Sequence, residues 1–127
     1  MSVPTDLRYT RDHEWVRLDG DEATVGITQF AADQLGDIVF VEMPEVGRML
    51  EASKPFGVVE SVKAVSDLFA PLAGEVVAVN HGLADAPELV NGDPYAGGWM
   101  VRLRIADAAD VEDLLDAAAY DALVALG

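Results

Sequence analysis

Lys63 is one of only two lysines in a chain of 127 residues, the other being Lys54. It sits in Gly57-Val-Val-Glu-Ser-Val-Lys63-Ala-Val-Ser-Asp67, flanked by the β-branched residues Val58, Val59, Val62 and Val65 and free of proline. Such a run predicts two strands joined by a tight turn, with the lysine near its tip. An amine presented there is held at a fixed point and can receive a covalent group from a modifying enzyme. The alternative is a solvated turn lysine that keeps two hydrophobic strands soluble. Short motifs recur without function, so the choice rests on the remainder of the chain.

Other reactive groupings are few. His13 and His81 are the only histidines, and Asp12-His13-Glu14 is the one local cluster with donors for a metal or a proton relay. A metal needs three or four convergent ligands, and neighbours along a strand point to opposite faces. These three cannot all converge, and no metal site is expected. Gly97-Gly98 before Trp99 reads as a turn, and no phosphate loop, nucleophile elbow or paired-carboxylate motif stands out. No catalysis of its own is expected.

The chain carries 23 acids against 8 bases, a net charge of −15. Such a surface repels nucleic acid phosphates and anionic lipid, and the six arginines are scattered. Its positive use is docking to basic patches on partner proteins; simple solubility is the other reading. The absence of cysteine excludes a disulfide framework, a thiol nucleophile and a thiolate metal site, and fits a reducing compartment. Residues 1–8 lack both the apolar core of a signal peptide and the look of a transit peptide. The longest apolar-rich stretch, Leu114 to Leu126, is broken by Asp116 and Asp121, so no membrane span is expected. A cytoplasmic location is the default.

The length suits one domain over 1–127. Glu14 to Leu18 and Ala23 to Ile27 alternate around Asp19-Gly20-Asp21, a hairpin pattern. Thr28 can cap a helix over Gln29 to Leu35 that Gly36 ends, with Ala31 and Leu35 on one face. Asp37 to Met43 alternates again, with Ile38, Phe40 and Val41 competing for the core. Strands are expected at 47–50, 56–62, 64–70, 75–79 and 99–105, with a turn at Pro71-Leu-Ala-Gly74. Short, regularly spaced strands argue for a sandwich or barrel. The Gly- and Pro-rich segment from Asn80 to Gly98 reads as a long connection with one helical turn near Ala86 to Val90. A helical tail over 107–126 follows, with Asp107, Asp110 and Asp116 as candidate caps and an apolar stripe through Val111, Leu114, Leu115, Tyr120, Leu123 and Val124.

Ordered blocks along the chain then carry a resemblance. They are His13-Glu14-Trp15-Val16, Val25 to Thr28, Leu35 to Pro44, the Lys63 run, Pro71 to Val77, Asn80, Leu83, Leu89-Val90-Asn91, Pro94-Tyr95 and Gly98-Trp99-Met100. In order and spacing, from about Arg8 to Ile105, they resemble the H protein family of the glycine cleavage system, and Gly57 to Asp67 resembles its lipoyl-attachment loop. The resemblance implies a mainly β, lipoyl-type (barrel-sandwich hybrid) sandwich of two small antiparallel sheets, with a short helix in the N-terminal half and C-terminal helices. It implies a modified hairpin over 56–70, with Gly47 and Gly74 at flanking turns. Lys63 would carry lipoic acid in amide linkage, which takes the charge from −15 one unit further negative.

The implied role is a carrier that does no chemistry alone. It would shuttle the aminomethyl group of glycine from a pyridoxal-phosphate glycine decarboxylase to a tetrahydrofolate-dependent aminomethyltransferase, and then meet dihydrolipoyl dehydrogenase (the P, T and L proteins). A lipoate ligase or lipoyl/octanoyl transferase would install the group. By position, Glu14 and Asp67 match acids of the family's cleft for the loaded arm, where carboxylates can hold a protonated amine. Their plainer readings are a solvated strand acid and a turn-capping Asp. Gln34 stands where some relatives carry histidine and cannot titrate near neutrality; Asp12 stands where some carry serine and adds a charge near the cleft.

Glu60 resembles the acid by which lipoylating enzymes recognise their targets. Val62 and Ala64 separate the run from biotin carriers, which place methionines beside the lysine, and Val62 separates it from 2-oxo acid dehydrogenase domains, which place Asp there. Two roles remain open on the sequence: the glycine cleavage carrier, and an H-like protein that donates lipoyl groups in lipoate metabolism or serves another pathway.

Overall fold

A computed structural model describes residues 3–126. Gly20, at φ 62, closes the turn between β2 (Glu14–Asp19) and β3 (Glu22–Ile27), a conformation that glycine adopts without steric penalty. Trp15 lies opposite Gly26 and Val16 opposite Val25 in the expected hairpin. A short strand that no periodicity announced, β1 (Arg8–Tyr9), adds to the open edge of β2.

The remaining strands are β4 (Ile38–Glu42), β5 (Met49–Leu50), β6 (Pro55–Ser61), β7 (Val65–Phe69), β8 (Gly74–Val79) and β9 (Val101–Ile105). They complete one six-stranded sheet in the order β1-β2-β3-β9-β8-β5 and one three-stranded sheet in the order β4-β6-β7. Every pairing is antiparallel. Val16, Val25, Val76 and Leu103 of the larger sheet share a core with Ile38, Val41, Val59 and Leu68 of the smaller. Apolar side chains on facing sheets explain why both sheets form at all.

Several details depart from expectation. Phe40 is 49% exposed and not a core residue, because a register shift between Ile38 and Phe40 inserts a bulge in β4. The bulge breaks the strict alternation, so Ile38 and Val41 face inward together. Gly74 is the first residue of β8 and not a turn residue; a β-carbon there would run into the Arg104 carbonyl oxygen. The single turn expected near 86–90 is two turns, α2 (Gly82–Asp85) and α3 (Leu89–Gly92), with Pro87 between them lacking the N–H to continue a helix.

Helix α1 (Gln29–Leu35) forms as read, with Thr28 Oγ1 accepting from Ala31 N and Gly36 leaving at φ 84. The tail supplies α4 (Ala109–Glu112) and α5 (Ala117–Leu126). Asp107 and Asp116 accept from the backbone N–H groups of Ala109 and Ala119. Asp110 does not cap; its carboxylate accepts from Ala73 N at 3.0 Å and ties the tail to the loop before β8. Tyr120 stacks on Tyr9 with ring centroids 4.8 Å apart, and its hydroxyl lies 2.8 Å from His13 Nδ1 and 2.7 Å from Thr28 Oγ1. Among the described residues no helix is long and apolar enough to cross a membrane.

The Asn80–Gly98 connection is held to β2. Trp15 Nε1 donates to the Pro94 carbonyl at 2.9 Å and Arg17 to that of Tyr95 at 2.7 Å. The buried indole lies flat over Gly26, where a β-carbon would sit 2.7 Å from three ring atoms. Gly26→Ala must therefore push out a fully buried tryptophan and break its hydrogen bond. Overpacking and the lost bond together cost about 2–4 kcal/mol, and thermal unfolding is expected to show a melting temperature lower by roughly 10 °C. An unchanged melting temperature would mean that the indole has a second seat.

Candidate functional site

β6 and β7 pair from Pro55 opposite Phe69 up to Glu60 opposite Val65, and four residues, Ser61-Val62-Lys63-Ala64, close the hairpin. Ser61 N donates to Ala64 O at 2.8 Å. Ser61 Oγ accepts from Lys63 N at 3.3 Å and from Ala64 N at 3.0 Å. One serine hydroxyl thus gathers the donors of the turn, as short polar side chains do in tight turns. Lys63 and Ala64 are exposed, and Val62 is 70% exposed.

The tip is not free-standing. Val62 N donates to Asp37 O at 3.0 Å, which joins it to the connection between α1 and β4. The Lys63 stem passes over Gly36, whose missing β-carbon would lie 3.5 Å from Lys63 Cε. Gly36 is set by its positive φ, and a β-carbon there would only touch the lysine stem at ordinary contact distance. An exposed amine on a pinned turn fits acylation: the nitrogen can be reached by a large enzyme while its backbone stays in place. A group joined through Lys63 Nζ would leave from the end of the smaller sheet.

The predicted acids fall in three places. On the outer face of the smaller sheet, Phe40, Glu60 and Val65 form one cross-strand row, and Glu42, Val58 and Asp67 form the next. Glu60 is half-buried there and Asp67 exposed. Gln34 is exposed in the last turn of α1, two residues before the glycine under Lys63. Asp12 is exposed and lines a depression of about 300 Å³ with Tyr9, Thr10, Ser53, Ala70 and Asp110; Lys63, Asp67 and Gln34 are not among its walls.

Glu14 is different. It is 2% exposed, with Oε2 accepting from Phe69 N at 2.8 Å and Oε1 from Thr10 Oγ1 at 3.2 Å. It thus abuts the end of β7 farthest from the turn, roughly 13 Å along the strand from Val65. Burial pushes its pKa up from 4.5 to about 8, against the opposing pull of the Phe69 N–H, with the nearby Asp12 charge raising it further. His13, beside it, is lowered by burial and is engaged by Tyr120. Among the described residues no group of three His, Cys, Asp or Glu is arranged to hold a metal ion.

The glycine cleavage H-protein family model matches residues 7–126. The chain belongs to that family. It is 61% identical over 119 residues to the glycine cleavage system H protein of Phenylobacterium zucineum, covering 94% of this chain and 98% of that one. Over 122 residues it is 61% identical to the H protein of Magnetococcus marinus, covering 96% of this chain and 87% of that one. A crystal structure of a glycine cleavage system H protein from Mycobacterium marinum superposes with a TM-score of 0.90 at 40% identity, covering 97% of this chain and 99% of that one. The fold is the lipoyl-type sandwich of that family, and H proteins are the carrier component of the glycine cleavage system.

Seen in this H-protein fold, sequence reading missed three groups that shape the lysine turn. The carbonyl of Asp37 gives no sequence signal at all. Gly36 was legible only as a helix stop. Asn91 lay in a matching block, yet nothing in its own neighbourhood connects it to Ile38 N and Gly36 O, more than fifty positions away, which its side chain binds.

Proposed function

We propose that Lys63 is the lipoyl-attachment residue and that the protein, a single carrier domain acting in the cytoplasm, presents that arm to the enzymes of glycine cleavage. The observation that carries this reading is the exposed amine on a turn locked by Ser61 and Asp37, in a chain of this family. When bound, a lipoyl group supplies a dithiolane that can take up a one-carbon amine and two electrons. The protein residues do the rest.

Installation forms an amide between Lys63 Nζ and the lipoyl carboxyl carbon. With a lipoate ligase, the carboxylate first attacks the α-phosphorus of ATP and pyrophosphate leaves; the lysine nitrogen then displaces AMP and loses a proton. Glu60, Val62 and Ala64 lie within three residues of the amine on the same hairpin end and are the surface such an enzyme would read. Docked partners, namely the decarboxylase, the aminomethyltransferase and dihydrolipoyl dehydrogenase, gain from the high local concentration that a tethered arm provides. The family resemblance assigns Glu14, Asp12, Asp67 and Gln34 to the resting place of the loaded arm; of these, Gln34 beside Gly36 lies nearest the lysine turn, Asp67 is on the outer sheet face, and Glu14 and Asp12 lie apart from both.

The test is incubation of the folded protein with lipoate, ATP and a lipoate ligase, followed by intact mass and peptide mapping. One lipoyl increment on Lys63, with exposed Lys54 unmodified, is the expected result. Label on Lys54, or none on folded protein, would overturn the assignment.

A further inference from the structure

Among the described residues, Asp37 O is the backbone acceptor outside the hairpin that the Lys63 turn uses, through Val62 N. It belongs to the same peptide unit as Ile38 N, and the unit before it carries Gly36 O; both units are held by one side chain. Asn91 Oδ1 accepts from Ile38 N at 2.8 Å, and Asn91 Nδ2 donates to Gly36 O at 2.9 Å. The Asn91 carbonyl also accepts from Gln29 Nε2 at 3.0 Å, joining the first turn of α1 to the same point. A short amide is the side chain that offers a donor and an acceptor in one plane at this reach. Aspartate would keep the acceptor and lose the donor; alanine would lose both.

We infer that Asn91 is the positioning residue of the Lys63 turn, fixing the Gly36–Ile38 connection on which Val62 and the lysine stem rest. This builds on the reading of Lys63 as the modified residue. Asn91 reaches the connection because the long segment that carries it is itself anchored to β2 by Trp15 and Arg17. Loss of the amide frees Gly36 O and Ile38 N to turn toward water, and the Asp37 carbonyl then loses its fixed aim at Val62. The lysine stays exposed and the docking surface keeps its side chains, but the amine is held less closely. Misplacement of a nucleophile slows the chemical step more than it weakens binding.

Asn80 provides a matched control. Its side chain donates to Gly97 O at 2.9 Å and Trp99 O at 2.8 Å, and accepts from Gly82 N at 3.1 Å, so Asn80→Ala also removes a backbone-binding amide. Asn91→Ala is expected to speed deuterium exchange of the Val62 amide about tenfold while the Val101 amide in the sheet is unchanged. It is also expected to lower kcat for lipoyl transfer by a lipoate ligase about five- to tenfold with KM within about twofold. Asn80→Ala should leave Val62 exchange and kcat within about twofold of wild type even where it lowers the melting temperature as much. If Asn91→Ala does not fold, Asn91→Asp carries the test, since it keeps the shape and the Ile38 contact. Unchanged Val62 exchange and kcat in a folded Asn91 variant, or equal effects from Asn80→Ala, would overturn the inference. Val62 exchange judges Asn91 whether or not the wild type is modified, so the two readings fail separately.

Discussion

Lys63→Arg is expected to give a folded protein that takes up no lipoyl group and supports no glycine cleavage. The guanidinium stays protonated at any working pH and has no free lone pair to attack an acyl carbon. Stability should hold within about 0.5 kcal/mol, for a structural reason. The hydrogen bonds that close the turn come from backbone groups and Ser61 Oγ; none comes from the lysine amine. Gly36 leaves room beneath a longer head group. Circular dichroism melting should superpose with wild type, the lipoyl increment should vanish from the mass spectrum, and carbon dioxide release from glycine should fall to background with all partner enzymes present. Lys54→Arg, the same change at the other lysine, should leave all three unchanged. Retained transfer in Lys63→Arg would move the acceptor elsewhere.

Local features were legible because their causes are local. Thr28 and Gly36 bound α1 in the sequence as in the structure, since a cap needs only a hydroxyl and a stop only a glycine. The Gly20 turn and the Lys63 hairpin follow from two β-branched runs and their short connections. The sheet order was not legible: β3 pairs with β9 across more than seventy residues, Val25 opposite Val101, and period alone does not choose partners. Phe40 reads as core in a strict alternation and is exposed because one bulge changes the count.

The site divides in the same way. Lys63 announces itself by its flanks and its rarity. Glu14 could be picked out, but its condition could not, because the Phe69 N–H it receives comes from a strand fifty-five residues on. Read along the strand, Glu14 is an acid next to a histidine and a tryptophan; in three dimensions it is closed over by the body of the protein. Burial of that kind converts an ordinary carboxylate into a group whose protonation depends on the fold, and this has a measurable consequence.

With a folded-state pKa raised from 4.5 to about 8, Glu14 holds its proton at neutral pH, whereas the unfolded chain releases it near 4.5. Below that pH both states are protonated and Glu14 adds nothing to the pH dependence. From there to about pH 8 only the unfolded state gives up the proton, so stability falls as pH rises, by about 4–5 kcal/mol in all. Above pH 8 both states are ionised and the loss is complete. Glu14→Gln copies the neutral form and keeps an oxygen for the Phe69 N–H. Urea unfolding should therefore find the two proteins equal near pH 4.5, the glutamine variant gaining steadily through pH 6 and 7, and a plateau above pH 8. A difference independent of pH would mean that Glu14 ionises normally in the folded protein. The same energetics bear on the proposed resting place of the arm. For Glu14 to hold an ammonium ion it must first ionise, and at neutral pH burial opposes that unless the cation arrives with it.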